Sequence, residues 1–533
     1  MANGGSVVAF PKEALTVSIA SSFKEKDSPQ HTYLHHNGSW DEESTKPGPS
    51  VSEDSALEEN LDPNIVTWDG PNDPANPKNW SRARKWANTI VASLFAFISP
   101  LSSSMAAPAL VHIGNDLHIS NSMDLQLVLS VFLLAYSFGP FILSPCSEIW
   151  GRKRVIHFGN LIFITFNTAC GFASTKNEII AFRFIAGLGG SATLGIGAGI
   201  LSDCWPAEER GRGTTIYQLA PVLGPAIGPI AGGFISEYAT WRWTFWSLSC
   251  FNVAIQLAGL LFFQETYAPR ILAIKARELR QKTGNQELRT EWQKEGRTLP
   301  HLLRVSLTRP WRLLGTQPTI QLLALYQAFN FGMLYLFISS FPMLWTGRYG
   351  MSTSIGSLNY CSLALGLLVG AQICGPLTDL VYKHLKKRYG HGDDSKGLPE
   401  FRIPLMIPAA FIVPCGIFLY GWSAEAKLFW IVPNIGAALF ASGSIISYLC
   451  TQMYIVDTYA RYAASASAAS TFLRSLAAFS FPLFVPYLFN SLGYGLGSST
   501  LGLAAIVLGI PAPFLFWRYG ATLRARSPFA AGG

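Results

Sequence analysis

The chain is 533 residues long, 49% hydrophobic and only 14% charged, with a formal net charge of +8. A mean hydropathy of +0.27 with so few charges excludes an ordinary soluble domain and predicts an all-α integral membrane protein. The eight cysteines are scattered singly, which argues against a disulfide framework or a zinc site.

Residues 1–85 are polar and hold 13 Asp/Glu against 8 Lys/Arg, so the excess positive charge lies elsewhere. This composition predicts a disordered cytosolic tail. It has no basic start followed by an apolar core, so the first membrane span is expected to do the targeting.

A bilayer core about 30 Å thick needs about 20 apolar residues of helix. Twelve such blocks follow in order, at 87–110, 125–145, 155–174, 179–202, 213–236, 243–263, 319–343, 355–382, 403–422, 428–453, 465–490 and 497–517. The fourth, fifth and eleventh are rich in Gly, Ala, Ser and Pro, which suits close helix packing. A basic connection, 264–318, separates an N-terminal six-helix bundle (86–263) from a C-terminal one (319–518), leaving 519–533 as a second cytosolic tail. Within it, Ile271 to Arg289 reads either as a basic amphipathic helix on the inner leaflet or as a solvated linker helix.

Orientation follows from Lys and Arg, which are retained on the cytoplasmic side. Only Lys176, Arg242, Arg348 and Lys427 fall in one set of connections, while 30 of the 40 basic residues flank or join the spans on the other side. Both termini are therefore expected in the cytosol.

Two pairs of short segments repeat between the halves. SPCSE, Ser144 to Glu148, ends the second span, and GPLTD, Gly375 to Asp379, ends the eighth; a basic loop follows each. DCWPAEER, starting at Asp203, follows the fourth span, and DTYAR, starting at Asp457, follows the tenth. Carboxylate-then-base patterns at equivalent places mark parallel structural repeats.

These residues resemble the major facilitator superfamily. SPCSEIWGRKR is similar to its loop motif between spans two and three, RFIAGLGGSA (Arg183 to Ala192) to its fourth-span motif, and LGPAIGPIAGG (Leu223 to Gly233) to the fifth-span motif of its drug:proton antiporters. VTWDGPNDPANPKNWS and WRWTFW resemble the fungal twelve-span antiporter branch, and the resemblance covers about residues 66 to 520. It implies the major facilitator fold: twelve transmembrane helices in two six-helix bundles.

The resemblance further implies a state-dependent latch in which Glu148 sits near the N-terminal end of span eleven and Arg152, after Gly151, sits near Asp203. Asp379 and Asp457 occupy the matching places in the second half. The fifth-span residues Gly224, Pro225, Gly228, Pro229, Gly232 and Gly233 put missing side chains along one helical face and permit a bend. The helix is expected at the interface of the two halves, where the family motif favours export over leak; tight packing is the plainer reading.

Arg183 and Arg474 lie inside spans, where an arginine faces protein interior or a water-filled cavity. Each is either a structural cross-link or a working group, Arg183 relaying or gating a proton and Arg474 facing the central cavity. No Asp or Glu falls near the midplane of any span, so the proton-carrying group is not visible in the sequence. Two cavity arginines without a cavity carboxylate suit an anionic or neutral substrate better than a polycation. Gln218, Tyr326, Gln327, Asn330, Tyr335, Asn359, Gln372 and Asn434 are further cavity candidates, suited to amphipathic organic molecules or to holding helices together.

The expected function is therefore export of small organic compounds (antifungals, toxins or secondary metabolites) by proton antiport and alternating access. The expected partners are a small-molecule substrate, protons and the lipid bilayer, and a monomer in the plasma membrane, with the vacuole second. An organic-acid transporter and a transporter-like membrane sensor are the alternatives. An enzyme is not expected, since HExxH, Walker-type and nucleophile motifs are all missing, and neither cofactor, metal nor nucleic acid is expected.

Overall fold

The computed structural model describes residues 64–206, 209–291, 299–389, 397–459, 462–527 and 529–530. Most of the tail expected to be disordered, residues 1–63, lies outside that set. Among the described residues, ten helical segments are long and apolar enough to cross a membrane. Two observations bring the spans to twelve. The third, Arg152–Cys170, is a 19-residue helix whose hydropathy is lowered by Arg152, Lys153, Arg154, Asn160 and Asn167. The last stretch, Ala463–Ala525, contains a break at Gly493, with φ of +72°, that separates spans eleven and twelve. The expected all-helical, twelve-span architecture is the observed one.

The spans follow the predicted order. They are Arg82–Met105, Ser122–Trp150, Arg152–Cys170, Lys176–Cys204, Ile216–Tyr238 and Arg242–Phe262 in the first half, then Pro318–Arg348, Thr353–Arg388, Pro399–Glu425, Ile431–Thr458 and the two parts of Ala463–Ala525. Proline sits inside the first, second, fifth, seventh, eighth, ninth and eleventh of them. Each removes a backbone donor that neighbouring helices must make up.

Three buried apolar clusters organise the described residues. One fills the first half around Phe95, Phe132, Phe163 and Ile196. A second fills the second half near the basic loops, around Leu323, Met406, Ile455 and Phe516. The third combines both halves, with Leu110, Ile113 and Phe245 packed together with Phe337, Phe341 and Trp345. That shared core lies at the end opposite the basic loops.

At the basic end the halves meet through aromatic rings. Trp311, from the connecting helix Leu299–Thr316, stacks on Phe141 of span two and lies edge-on to Phe472 of span eleven, with centroids 6.2 and 4.6 Å apart.

Residues 64–81, expected to belong to the disordered tail, instead form a strap that packs on the connection between the halves. Ile65 bridges to Arg289, and Lys275 binds Asp69 at 2.6 Å and Asp73 at 3.6 Å. Val66 and Trp80 are buried. Buried Val66, Asp73, Pro77 and Trp80, with Lys275 and the backbone bridge, hold a segment whose average composition is polar. Lys275 belongs to the helix Ala268–Thr283, which stops at Gly284 in the left-handed conformation, a C-terminal cap that glycine adopts without steric cost. It is shorter than the Ile271 to Arg289 stretch read from composition.

Candidate functional site

The basic face carries two carboxylate–arginine clusters, one per half. In the first, Arg152 Nε lies 3.5 Å from Asp203 Oδ2, Nη1 donates to Ser147 Oγ at 2.5 Å, and the guanidinium stands over the Tyr267 ring. Gly151 makes the turn into span three with φ of +95°. Glu265 then caps that span, accepting from the backbone N–H groups of Arg152 at 2.9 Å and Lys153 at 3.2 Å. A carboxylate at a helix N-terminus meets both orphan donors and the positive end of the dipole. A side chain on Gly151 would run into Glu265.

In the second cluster, Arg402 bridges both predicted carboxylates, donating to Asp379 at 2.9 Å and Asp457 at 3.1 Å. Sequence reasoning missed Arg402 because it looked for the base directly after Asp379. The guanidinium instead arrives from the short turn Pro399–Arg402 that opens span nine. Glu265 was not singled out in the sequence reading because it belongs to none of the repeated motifs. Its position two residues after the sixth apolar run was the available signal.

Glu148 does not join the first cluster. It is exposed, and among the described residues no ion pair reaches it. The N-terminal end of span eleven, its expected partner, adjoins residues 460–461, which lie outside the described set.

The two buried arginines differ sharply. Arg183 is 0% exposed and donates to three backbone carbonyls: Val128 at 3.1 Å, Ser102 at 3.1 Å and Leu129 at 3.2 Å. It ties span four to spans one and two, with Phe132 and Phe245 beside it. Arg474 is 7% exposed, yet its Nε has no hydrogen-bond partner. The rings of Phe331 and Tyr448, 4.5 and 5.0 Å away, stand against it.

The fifth span touches the second half, at the elements Thr353–Leu358 and Tyr360–Arg388, but most of its glycines face span one. Added side chains at Gly224, Gly228 and Gly232 would meet Leu101, Ser104 and Met105 of span one, in the same half. Gly233 alone of this set abuts the other half, at Ser357 and Thr353. Spacing defined the face but not the neighbour. Pro225 and Pro229 lie inside the unbroken helix Arg210–Tyr238.

The polar cavity candidates do not form one lining. Gln327 accepts from Ser470 and donates to Gln452 at 3.4 Å, tying spans seven, ten and eleven. Asn434 donates to Asn359 at 2.5 Å, joining spans ten and eight. Asn330 bonds the carbonyl of Tyr326 in its own helix. These are contacts between and along helices, and Gln218 and Gln372 are exposed. Tyr335 bridges the halves, its hydroxyl 2.8 Å from Ser103 Oγ of span one.

On the face opposite the basic loops, Arg242 binds Asp116, which also accepts from Trp241 Nε1 at 3.0 Å. The Arg242 guanidinium, then the Trp241 N–H, hold the Asp116 carboxyl below the usual carboxylate range.

Twelve spans in two repeated halves, with matching charge clusters on one face and a shared core at the other, define a multi-pass membrane transporter. The sequence profile of the Major Facilitator Superfamily matches residues 92–482, and the chain belongs to that superfamily. It is 46% identical over 487 residues to "Efflux pump vrtL" of Penicillium aethiopicum, covering 91% of this chain and 95% of the relative. It is 41% identical over 474 residues to "Efflux pump radE" of Floropilus chiversii, covering 89% and 87%. Among solved structures, it is similar in fold to the xylose transporter XylE from E. coli in a partially occluded inward-open conformation. That match has a TM-score of 0.58 and 16% identity, over 82% of this chain and 99% of the other.

Proposed function

We propose that this transporter exports small organic compounds in exchange for protons, by alternating access in the plasma membrane, as a monomer with both termini in the cytosol. The observation that carries the reading is the likeness to fungal efflux pumps along nearly the whole chain, with 91% and 89% of it matched. The bias of Lys and Arg to one face supports the orientation. In this reading Arg152 with Asp203, and Arg402 with Asp379 and Asp457, are the breakable contacts of the inner gate, and Glu148 joins them when the gate closes further. The fifth span, seated on the first through its glycines, moves with it as one unit and limits leak.

The test is expression in a drug-sensitive yeast, with accumulation of a compound panel measured at several external pH values. The reading expects some compounds to be retained less when the protein is present, and more strongly so at acid external pH. Retention that is independent of the protein for every compound would contradict export.

A further inference from the structure

Arg474 is placed in a way that structural economy alone does not explain. It sits near the middle of span eleven, 7% exposed, and its Nε is buried without a partner. Among the described residues no hydrogen bond or ion pair reaches its guanidinium. A guanidinium offers five N–H donors, and burying its charge unpaired is strongly unfavourable. Arg183, equally deep, meets that demand with three carbonyls.

The rings beside Arg474 offset part of the cost. Phe331 and Tyr448 present electron-rich faces to the cation, but ring faces accept none of the in-plane N–H groups. The Tyr136 and Tyr335 phenols lie within electrostatic range, and each is already engaged, with Gly190 and Ser103 respectively. Every Asp and Glu in the chain lies at a span end or outside the spans. The fold therefore supplies the charge, the donors and an aromatic surround, and leaves the counter-ion to something that comes and goes.

We propose that Arg474 is the recognition site for an anionic group, a carboxylate or phenolate, on an aromatic substrate, held by paired charge-assisted hydrogen bonds with its ring beside Phe331 and Tyr448. The inference rests on the export reading above and names the substrate class for it. Tyr335 gives the site a link to transport, because its hydroxyl bridges spans seven and one across the two halves. An anion drawn to Arg474 arrives beside a contact between the moving parts.

The test uses the purified full-length protein in detergent and reads the thermal unfolding midpoint as each probe is titrated. The probes are 1-naphthoate, the neutral 1-naphthamide, the cationic 1-naphthylmethylammonium, and chloride. Naphthoate is expected to raise the midpoint at lower concentration than the other three. Arg474→Gln is expected to weaken its apparent affinity about ten- to a hundredfold, the worth of a charge-assisted pair, and Arg474→Lys to keep part of it. The ligand-free midpoint of Arg474→Gln should not fall below that of the wild type, whereas a structural cross-link would lose stability. Equal shifts with naphthamide, equal shifts with chloride as an adventitious ion only, or naphthoate binding unchanged in Arg474→Gln would each overturn the proposal. Selective naphthoate binding lost in Arg474→Gln, in a protein that exports nothing from cells, would support the site and contradict the export reading alone.

Discussion

Arg183 and Arg474 show how one residue type serves opposite ends at similar depth. The three carbonyls around Arg183 belong to two other helices, so truncation removes a joint and leaves acceptors short of donors. Arg183→Gln is expected to cost about 2–5 kcal/mol, read as a lower unfolding midpoint and a smaller folded yield; an unchanged midpoint would contradict the joint. The depth of both arginines was legible in the sequence, but their partners were not. Backbone carbonyls carry no residue signature, so nothing in the letters around Arg183 announces what it binds. At the opposite face, the depressed pKa of Asp116 has a definite sign. Its pairing with Arg242 stabilises the fold above the unfolded carboxylate value, near 4, and is lost only as pH falls through the lower folded value. Neutralising Asp116 as Asn should therefore leave the pH dependence of transport between pH 5 and 7 unchanged, which transport assays across that range would check.

Among the elements, the fifth span makes the most exact demand. Met105 O lies where a Gly232 side chain would begin, and Leu101 O is 2.6 Å from where one on Gly228 would. Gly232→Leu should push the span off span one at a cost of about 1–3 kcal/mol, visible as a lowered midpoint and reduced transport. Leucine at Gly375, where a side chain would meet nothing within 4 Å, should be tolerated for stability. The glycine spacing was readable in advance because a period of four puts residues on one helix face. The partner helix was not, since a face does not name what covers it. The charge clusters follow the same pattern. Both pairs of carboxylates stood out as repeats, but the base of the second pair came from a turn 23 residues beyond Asp379. Arg402→Gln should free Asp379 and Asp457 together and slow transport more than either Asp→Asn change; equal rates in all three variants would detach that cluster from the gate.

At the scale of the molecule, hydropathy and charge bias carried most of the fold. Blocks of apolar residues marked the spans, and the 30 basic residues gathered to one side marked a face. The strap at residues 64–81 escaped because it is held by four buried residues and one lysine, a signal too sparse for composition to register. It links the region before span one to the connection between the halves, through Lys275 and the Ile65–Arg289 bridge. The central polar groups escaped for a related reason: an amide inside a span can line a cavity or join helices, and Gln327, Asn359 and Asn434 join helices. Among the described residues Arg474 is a cation in mid-span whose buried Nε has no partner, and the mechanism proposed for the whole turns on movement of the halves driven by protons. The most direct measurement is uptake of a fluorescent aromatic compound into inside-out membrane vesicles carrying the protein, with an imposed pH gradient, acid inside. Proton-coupled export predicts accumulation above control vesicles that is abolished by a protonophore. Accumulation equal with and without the gradient, or equal to controls, would contradict it.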